Sequence, residues 1–169
     1  MLRYPGSDYS DHLDEASRLA AGTPCGEALE RFRAETEPFS LGSLQELYTR
    51  TFDLSPLCAL EVGWRLYGED YARGSFLAYL RPILLEHGIA ERGELPDHLA
   101  NVLPAIARLA PEKAEELRAE AALPAVEQML QAFAGKSNPY GDLLRAVRAA
   151  LLIPVVQPVA QPIAEASHV

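Results

Sequence analysis

Apolar residues recur at intervals of three and four along almost the whole chain, and this spacing constrains the fold more than any other feature. One such run consists of Leu80, Ile83 and Leu84, and another of Leu143, Leu144 and Val147; nearly every segment shows the same pattern. The strict alternation typical of strands is nearly absent. The sequence therefore predicts an all-α protein, and its 169 residues suit a single-domain helical bundle with one substantial core.

Caps and breaks predict where the helices begin and end. A capping-box pattern, Ser43 with Glu46 three residues later, predicts the start of the third helix, and Gly68 predicts the end of the fourth. Pro82 and Pro104 are expected to bend the helices that contain them. The predicted helical segments are His12–Ala21, a helix around Cys25–Phe32, Ser43–Phe52, Leu57–Tyr67, Glu69–His87, a helix from Pro96 to about Leu109, and three further helices after Pro111, Pro124 and Pro139.

The C-terminal segment differs from the rest of the chain. From Pro154 onward a proline stands at every fourth position, in Pro-Val-Val-Gln, Pro-Val-Ala-Gln and Pro-Ile-Ala-Glu. Such spacing forbids a continuous helix and favours extended or disordered structure. We therefore predict a folded helical domain over residues 5–152 and a flexible, Pro-rich tail over residues 153–169 that is dispensable for folding.

The charge balance excludes one class of partner and favours another. The net charge is −9 and the isoelectric point is about 4.9, which opposes nucleic-acid binding and favours a basic partner segment. No apolar run approaches the roughly 20 residues that span a bilayer, and no N-terminal targeting signal is recognised, so a cytoplasmic protein is expected. Cys25 and Cys58 form no Cys-x-x-Cys motif, which predicts reduced thiols rather than a disulfide or a zinc site.

The segment from Glu94 to His98 concentrates ionisable side chains at a helix entrance. Pro96 suits a position at or just before a helix start, and Asp97 suits an N-terminal cap. Asp97 beside His98 also resembles a catalytic carboxylate–imidazole pair, but no recognisable nucleophile motif accompanies it. The four histidines are scattered and form no ligand motif, so neither a metal nor a cofactor is predicted.

The middle third of the chain is rich in aromatic residues. Aromatic residues at helical spacing usually pack inward, so most of these are expected in the core; they are Tyr48, Phe52, Trp64, Tyr67, Tyr71 and Tyr79. Those at a groove edge suit the apolar face of a peptide helix. Nearby acidic residues, namely Asp53, Glu69, Asp70, Glu94 and Asp97, favour a peptide that carries Lys or Arg.

Three motifs in this order resemble the NarJ/TorD family of molybdoenzyme maturation chaperones. The first is the family's aromatic motif, represented here by Leu47, Tyr48 and Phe52. The second is the segment from Tyr67 to Asp70, which resembles the nitrate-reductase branch of the family. The third is the family's Glu-x-Pro-Asp-His motif, represented by Glu94, Pro96, Asp97 and His98. The resemblance implies an all-helical, TorD-like bundle that is not an enzyme. It also implies that the protein binds the N-terminal peptide of a molybdopterin-dependent catalytic subunit, holds it until the molybdenum cofactor is inserted, and delays membrane attachment or export. The implied peptide-binding residues are Leu47, Tyr48, Phe52, Tyr67, Asp70, Glu94, Pro96, Asp97 and His98.

Other interpretations remain open at the level of sequence. A generic helical interaction or regulatory module fits the same periodicity, and a small hydrolase would require Asp97 and His98 to perform chemistry. Relatives usually have a helix before the Leu2–Pro5 sequence, and most of that helix is missing here. Either the start is truncated or the loss exposes an apolar surface for a homodimer. Genes for a molybdopterin subunit and an iron–sulfur subunit beside this one would favour the chaperone.

Overall fold

The computed structural model describes residues 1–54 and 58–155, and within them the chain is helical. The helices are α1 (Tyr9–Leu19), α2 (Pro24–Thr36), α3 (Leu41–Tyr48), α4 (Val62–Tyr67), α5 (Tyr71–Glu86), α6 (Leu99–Ile106), α7 (Pro111–Glu116), α8 (Leu123–Ala132) and α9 (Tyr140–Leu151). π-Helical segments extend α3 over Thr49–Asp53 and join α7 to α8 over Leu117–Ala122. No strand occurs in the described residues, so the predicted all-α, single-domain bundle is confirmed.

The core forms around α9, which packs against α2 and α8. Tyr140, at the start of α9, is fully buried, and its ring centroid lies 5.6 Å from Phe32, 5.9 Å from Tyr48 and 4.8 Å from Phe52. These contacts join α2, α3 and the first π-helical segment to α9. Burial of rings in edge-to-face and tilted contacts contributes strongly to core stability. The aromatic cluster therefore fixes the position of the 49–53 segment, which borders the candidate site.

Several helix boundaries match the sequence prediction. Gly68 ends α4 with φ +57°, and Gly88 follows α5 with φ +63°, conformations that a residue with a Cβ rarely adopts. Asp70 caps α5 because its Oδ1 accepts a hydrogen bond from the Ala72 N–H at 2.8 Å. Pro82 lies inside α5, as the sequence predicts.

The predicted start of the third helix at Ser43 is wrong. The N-cap is Ser40, whose Oγ accepts a hydrogen bond from the Ser43 N–H at 3.1 Å, and α3 begins at Leu41. An N-cap oxygen reaches the backbone N–H three residues later, and Ser43 stands three residues after Ser40. Ser40 therefore makes the capping contact that the sequence assigned to Ser43. Glu46, the proposed partner in the capping box, instead lies 3.7 Å from Arg50 on the exposed side of the helix.

The fourth helix is also shorter than predicted. It begins at Val62, and Leu60 lies in an extended connection, while Leu57 lies outside the described residues. Leu60 is nevertheless buried, because its segment pairs with the chain near His98 through an isolated antiparallel bridge. Leu60 is apolar because its connection is buried, not because it belongs to a helix. The helical spacing of Leu57, Leu60, Trp64 and Tyr67 therefore predicted a longer helix than the structure contains.

Residues 111–132 form one continuous helical run, although the sequence predicted a break at Pro124. The backbone stays in the right-handed helical region at Leu117, Ala122 and Leu123. Pro124 has no N–H to donate to the preceding turn, which would normally interrupt a helix. The π-helical segment before it changes the spacing of the backbone hydrogen bonds at that point. The segment Leu117–Ala122 ends two residues before Pro124, so the proline occupies the first turn of α8.

Val155, the last residue that the structure describes, lies beside α7. The Val155 N–H donates to Glu115 Oε2 at 3.0 Å, and the Arg118 guanidinium pairs with Glu115 and donates to the Leu151 carbonyl. This pairing with Arg118 lowers the pKa of Glu115 to about 2. Most of the predicted tail, residues 156–169, lies outside the described residues, so the division at residues 152 and 153 stays a prediction.

Candidate functional site

The candidate site is built on a backbone junction between the start of α4 and the start of α6. The Val62 N–H donates to the Asp97 carbonyl at 2.8 Å, and the Leu99 N–H donates to the Leu60 carbonyl at 3.0 Å. These paired bonds hold Glu61 opposite His98. Two segments separated by more than thirty residues in the sequence are thereby fixed side by side. The junction gives the Glu94–His98 motif a rigid backbone.

The Asp97 side chain is completely buried at this junction. Its Oδ2 accepts a hydrogen bond from the Gly63 N–H at 3.1 Å and lies 3.4 Å from Arg73 Nε. The guanidinium carbon of Arg73 lies 5.3 Å from the centroid of the Trp64 ring. Asp97 thus connects α4 and α5 to the entrance of α6. The sequence prediction that Asp97 caps its own helix is wrong, because the capping contact is made to the first turn of α4.

The environment of Asp97 opposes its charge. Burial raises its pKa, and this effect outweighs the opposing contributions of Arg73 and of the Gly63 hydrogen bond. Oδ1 is also buried and has no hydrogen-bond partner within the described part of the chain. Close packing leaves no space for a larger residue at position 63, where a Cβ would lie 2.8 Å from Asp97 Oδ2 and 3.0 Å from the Phe76 ring.

His98 is the N-cap of α6. Its Nδ1 accepts a hydrogen bond from the Ala100 N–H at 3.1 Å, which places the proton of the neutral ring on Nε2. Burial lowers the pKa of His98 to about 4, and the positive charge of Arg3 adds to this effect. Nε2 lies 3.9 Å from Glu94 Oε2. Because the Asp97 carboxylate contacts Gly63 and Arg73 instead of this imidazole, the pair lacks the geometry of a catalytic dyad.

An open groove of about 420 Å³ lies next to the junction. It is lined by Phe52, Asp53, Ala59, Glu61, Trp64 and Arg73. The Glu94 carboxylate is electrostatically coupled to this lining: burial raises its pKa, Arg3 opposes the rise, and the charges of Glu61 and Asp53 add to it. The groove, which we call the acidic groove, therefore combines the aromatic surface of Phe52 and Trp64 with the carboxylates of Asp53 and Glu61. Glu94 lies outside the lining but near enough for those two charges to affect its pKa.

The residues proposed from the sequence occupy different environments in the structure. Tyr48, Pro96, Asp97 and His98 are buried, whereas Tyr67 and Asp70 are exposed. Leu47 is partly buried against the core, and Phe52, although 7% exposed, reaches the lining of the acidic groove. Of the proposed residues, the structure places only Phe52 in the lining of this groove. Asp97 contacts the lining residue Arg73, and His98 pairs through its backbone with the lining residue Glu61. Tyr67 lines a separate groove, and Asp70 caps α5.

The expectation that most aromatic residues of the middle third are buried is wrong. Tyr67, Tyr71 and Tyr79 are 38%, 90% and 43% exposed. All three belong to the last turn of α4 or to α5. A surface that exposes several large aromatic rings is typical of a binding surface.

Sequence reasoning did not assign Gly63, Arg73 or Glu61 to the site. A signal existed for Gly63, because the predicted Leu57–Tyr67 helix placed a glycine in its interior, where glycine costs roughly 1 kcal/mol and indicates close packing. Nothing in the local sequence indicated that Arg73 contacts Asp97, which is 24 residues away. Contacts of this kind depend on how α5 crosses the junction.

The described residues contain no group of three or more His, Cys, Asp or Glu side chains arranged to hold a metal ion. Cys25 and Cys58 are both free thiols. Over the same ranges, no helix combines the length and the apolar character that crossing a membrane requires.

The sequence profile of the nitrate reductase delta subunit family matches residues 18–146, well over half of the chain. The chain belongs to this family. The nitrate reductase delta subunit family is a family of molybdoenzyme maturation chaperones, which confirms the resemblance found in the sequence motifs. A search of curated proteins finds no significant match to the chain.

Membership in the nitrate reductase delta subunit family fixes the broad function class. The family is of the chaperone type and not catalytic, and it implies the catalytic subunit of a molybdoenzyme as partner. The matched region begins within α1 and ends within α9, so it includes the backbone junction, the acidic groove and the exposed aromatic surface.

Proposed function

We propose that this protein is a dedicated chaperone that binds the N-terminal segment of a nitrate-reductase-type molybdoenzyme catalytic subunit in the acidic groove. It acts in the cytoplasm, where it holds that subunit competent for insertion of the molybdenum cofactor. The observation that carries this proposal is the acidic groove itself, in which aromatic surface and carboxylates lie together beside the family's Glu-x-Pro-Asp-His motif.

The lining of the acidic groove favours a basic, amphipathic peptide. Phe52 and Trp64 offer apolar surface, while Asp53 and Glu61 offer negative charge on the same lining. An amphipathic helix binds a groove through apolar residues spaced by three and four, and acidic residues at the groove favour Lys or Arg on the peptide's polar face. The net charge of −9 extends the attraction beyond the groove.

The buried Asp97–Arg73 contact gives the acidic groove a stable shape. Arg73 lines the groove and contacts both Asp97 and Trp64, so the buried carboxylate positions two residues of the lining. Asp97 and His98 therefore act on the peptide indirectly, through the geometry of the groove. A preorganised groove lowers the cost of ordering side chains when the peptide binds.

The mechanism is one of holding and timing. While its N-terminal segment is bound, the catalytic subunit remains open for cofactor loading and its attachment to other subunits or to the membrane is delayed. No bond is made or broken by the chaperone in this scheme. The proposal is consistent with the divergent contacts of Asp97 and His98, which leave that pair without the geometry of a general base.

The direct experiment measures peptide affinity by calorimetry. The probe is a synthetic peptide of the first 20 or so residues of a nitrate-reductase-type molybdoenzyme catalytic subunit from the same genome. The wild-type chain is expected to bind it, and the double variant Asp53→Asn, Glu61→Gln is expected to bind roughly threefold to tenfold more weakly at low salt, since each exposed charge pair contributes up to about 1 kcal/mol.

The matched control removes two exposed carboxylates elsewhere. Glu35 on α2 and Glu86 on α5 line none of the described grooves, so Glu35→Gln with Glu86→Gln changes the net charge equally. If the control loses as much affinity as the groove variant, the general charge and not the acidic groove attracts the peptide. Absence of binding by the wild type would reject the proposed function.

A further inference from the structure

A second groove, which is also bordered by α4 and α5, combines three aromatic rings with two carboxylates. It has a volume of about 270 Å³ and is lined by Tyr67, Phe76, Tyr79, Glu116, Leu117, Glu120 and Ala121. The rings come from α4 and α5, and the carboxylates come from the continuous helical run of residues 111–132. We call this the aromatic groove. The acidic groove does not account for it, because the two linings share no residue.

The rings of the aromatic groove form a continuous surface. The Tyr67 and Phe76 ring centroids lie 5.9 Å apart in an edge-to-face contact, and Phe76 and Tyr79 are stacked with centroids 6.5 Å apart. Tyr67 and Tyr79 keep substantial exposure, so ring faces and edges remain available at the surface. Exposed rings that already contact one another need little ordering to receive a ligand.

The carboxylates of the aromatic groove have no cationic partner among the residues that the structure describes. Glu115, one residue away, pairs with Arg118, but neither Glu116 nor Glu120 forms an ion pair there. Glu116 lies close enough to Tyr79 that its charge adds to the effect of burial in raising the pKa of the Tyr79 hydroxyl. Negative charge and aromatic surface therefore occupy the same small space.

This combination has a definite chemical complement. A Lys or Arg side chain is attracted to the face of an aromatic ring and to a carboxylate at once, and its aliphatic stem packs on apolar surface. A neutral or acidic side chain gains neither electrostatic contribution. The rings and unpaired carboxylates of the aromatic groove are thus complementary to a basic residue supplied by a partner.

We propose that the aromatic groove is a second docking point for the client segment, which places a Lys or Arg side chain between the rings of Tyr67 and Tyr79 and the carboxylates of Glu116 and Glu120. This inference rests on the proposed function and adds a partner contact to it. Trp64 of the acidic groove and Tyr67 of the aromatic groove are three residues apart on α4, a rise of about 4.5 Å. Residues three apart on a helix are neighbours on its surface, so the two grooves border the same side of α4.

The test uses the full chain and the same N-terminal peptide, with affinities measured by calorimetry at low and high salt. Glu116→Gln combined with Glu120→Gln is expected to weaken binding roughly threefold to tenfold at low salt, with a smaller loss at high salt. Glu112→Gln combined with Glu86→Gln is the control, because both residues are exposed and line neither groove. Tyr79→Leu is expected to weaken binding, and Tyr71→Leu is its control, since Tyr71 lies on the same helix outside the groove.

A peptide in which each Lys and Arg in turn is replaced by norleucine identifies the docked residue. For the correct position, the replacement removes the difference between the wild-type chain and the Glu116→Gln, Glu120→Gln variant, as expected for a coupled pair. Equal binding by that variant and its control overturns the aromatic groove while leaving the acidic groove intact. If the wild type does not bind the peptide at all, the inference and the proposed function are both overturned.

Discussion

At the scale of single residues, the absence of a side chain at position 63 determines the site geometry. We predict that Gly63→Ala lowers the free energy of unfolding by about 1–3 kcal/mol, because its Cβ would meet Asp97 Oδ2 at 2.8 Å and the Phe76 ring at 3.0 Å. Gly74 on α5 is the matched control, since a Cβ there meets nothing within 4 Å. Gly74→Ala should raise stability by about 1 kcal/mol through helix propensity. Urea denaturation of both variants checks this pair, and equal effects would contradict it.

Asp97→Asn separates the charge of Asp97 from its hydrogen bond. Asparagine keeps an oxygen for the Gly63 N–H but removes the charge that faces Arg73. We predict a stability loss of about 1–3 kcal/mol, typical of leaving a partly buried charge without its partner, together with weaker peptide binding because Arg73 is released from its position in the groove lining. Thermal denaturation and calorimetry measure the two effects. Unchanged binding at reduced stability would show that Asp97 has only a structural role.

His98 predicts a specific pH dependence. Its pKa in the folded protein is about 4, below the ordinary value of 6.5, so protons bind the unfolded chain first as the pH falls. The contribution of the neutral His98 to the free energy of unfolding is fully present above pH 6.5 and is lost as the pH falls from 6.5 to 4. It amounts to about 3 kcal/mol. The raised pKa values of Glu94 and Asp97 act in the opposite direction. The measured quantity is therefore the difference between the wild type and His98→Asn, which keeps a capping oxygen.

That difference should shrink as the pH falls from 6.5 to 4 if His98 is buried and neutral. Stability curves for the two proteins that stay parallel over this interval would show that His98 does not resist protonation. The neighbouring carboxylates are unchanged in the variant, so their titration largely cancels in the comparison.

At the scale of secondary-structure elements, a serine three residues before the predicted one caps α3. Ser40→Ala is expected to destabilise the protein by about 1 kcal/mol, because the Ser43 N–H loses its acceptor at the start of the helix. Ser43→Ala, within the helix, should change stability by less than about half as much. Chemical denaturation of the two variants distinguishes the caps. A larger loss for Ser43→Ala would restore the start predicted from the sequence.

Helix existence was more predictable than helix continuity. Periodicity identified each of the segments that became α1, α2, α5 and α9, since each buries one apolar side against the core. It did not identify the extended connection at Leu60 or the π-helical segments, because these depend on contacts with distant parts of the chain. The bond from Asn138 Nδ2 to Thr51 Oγ1, at 2.9 Å, is an example that no local pattern encodes.

The candidate site was also predictable only where a local pattern marks it. The Glu94–His98 motif marked the correct region, since its residue types are unusual at a helix entrance. The roles inside the motif were not predictable, because the Asp97 side chain bonds to α4 and α5 and only His98 caps α6. Residues from distant segments, such as Arg73, enter the site only when the bundle is assembled.

At the scale of the whole molecule, the folded bundle is predicted to be independent of the tail. The described body ends with Val155, whose N–H donates to Glu115. Removal of residues 156–169 should leave the thermal midpoint within about two degrees of that of the full chain, because these residues repeat proline and lack a core-forming face. Differential scanning calorimetry measures this directly. A fall of many degrees would indicate that the tail packs on the bundle.

The central claim is that the molecule binds a client peptide at the grooves that flank α4 and α5. The most direct measurement is hydrogen exchange of the full chain, followed by mass spectrometry, with and without the N-terminal peptide of the catalytic subunit. We predict slower exchange on binding in peptides that cover residues 49–54, 58–67 and 71–79, and no change in α1 or α2. No protection anywhere, or protection confined to α1 and α2, would contradict the account.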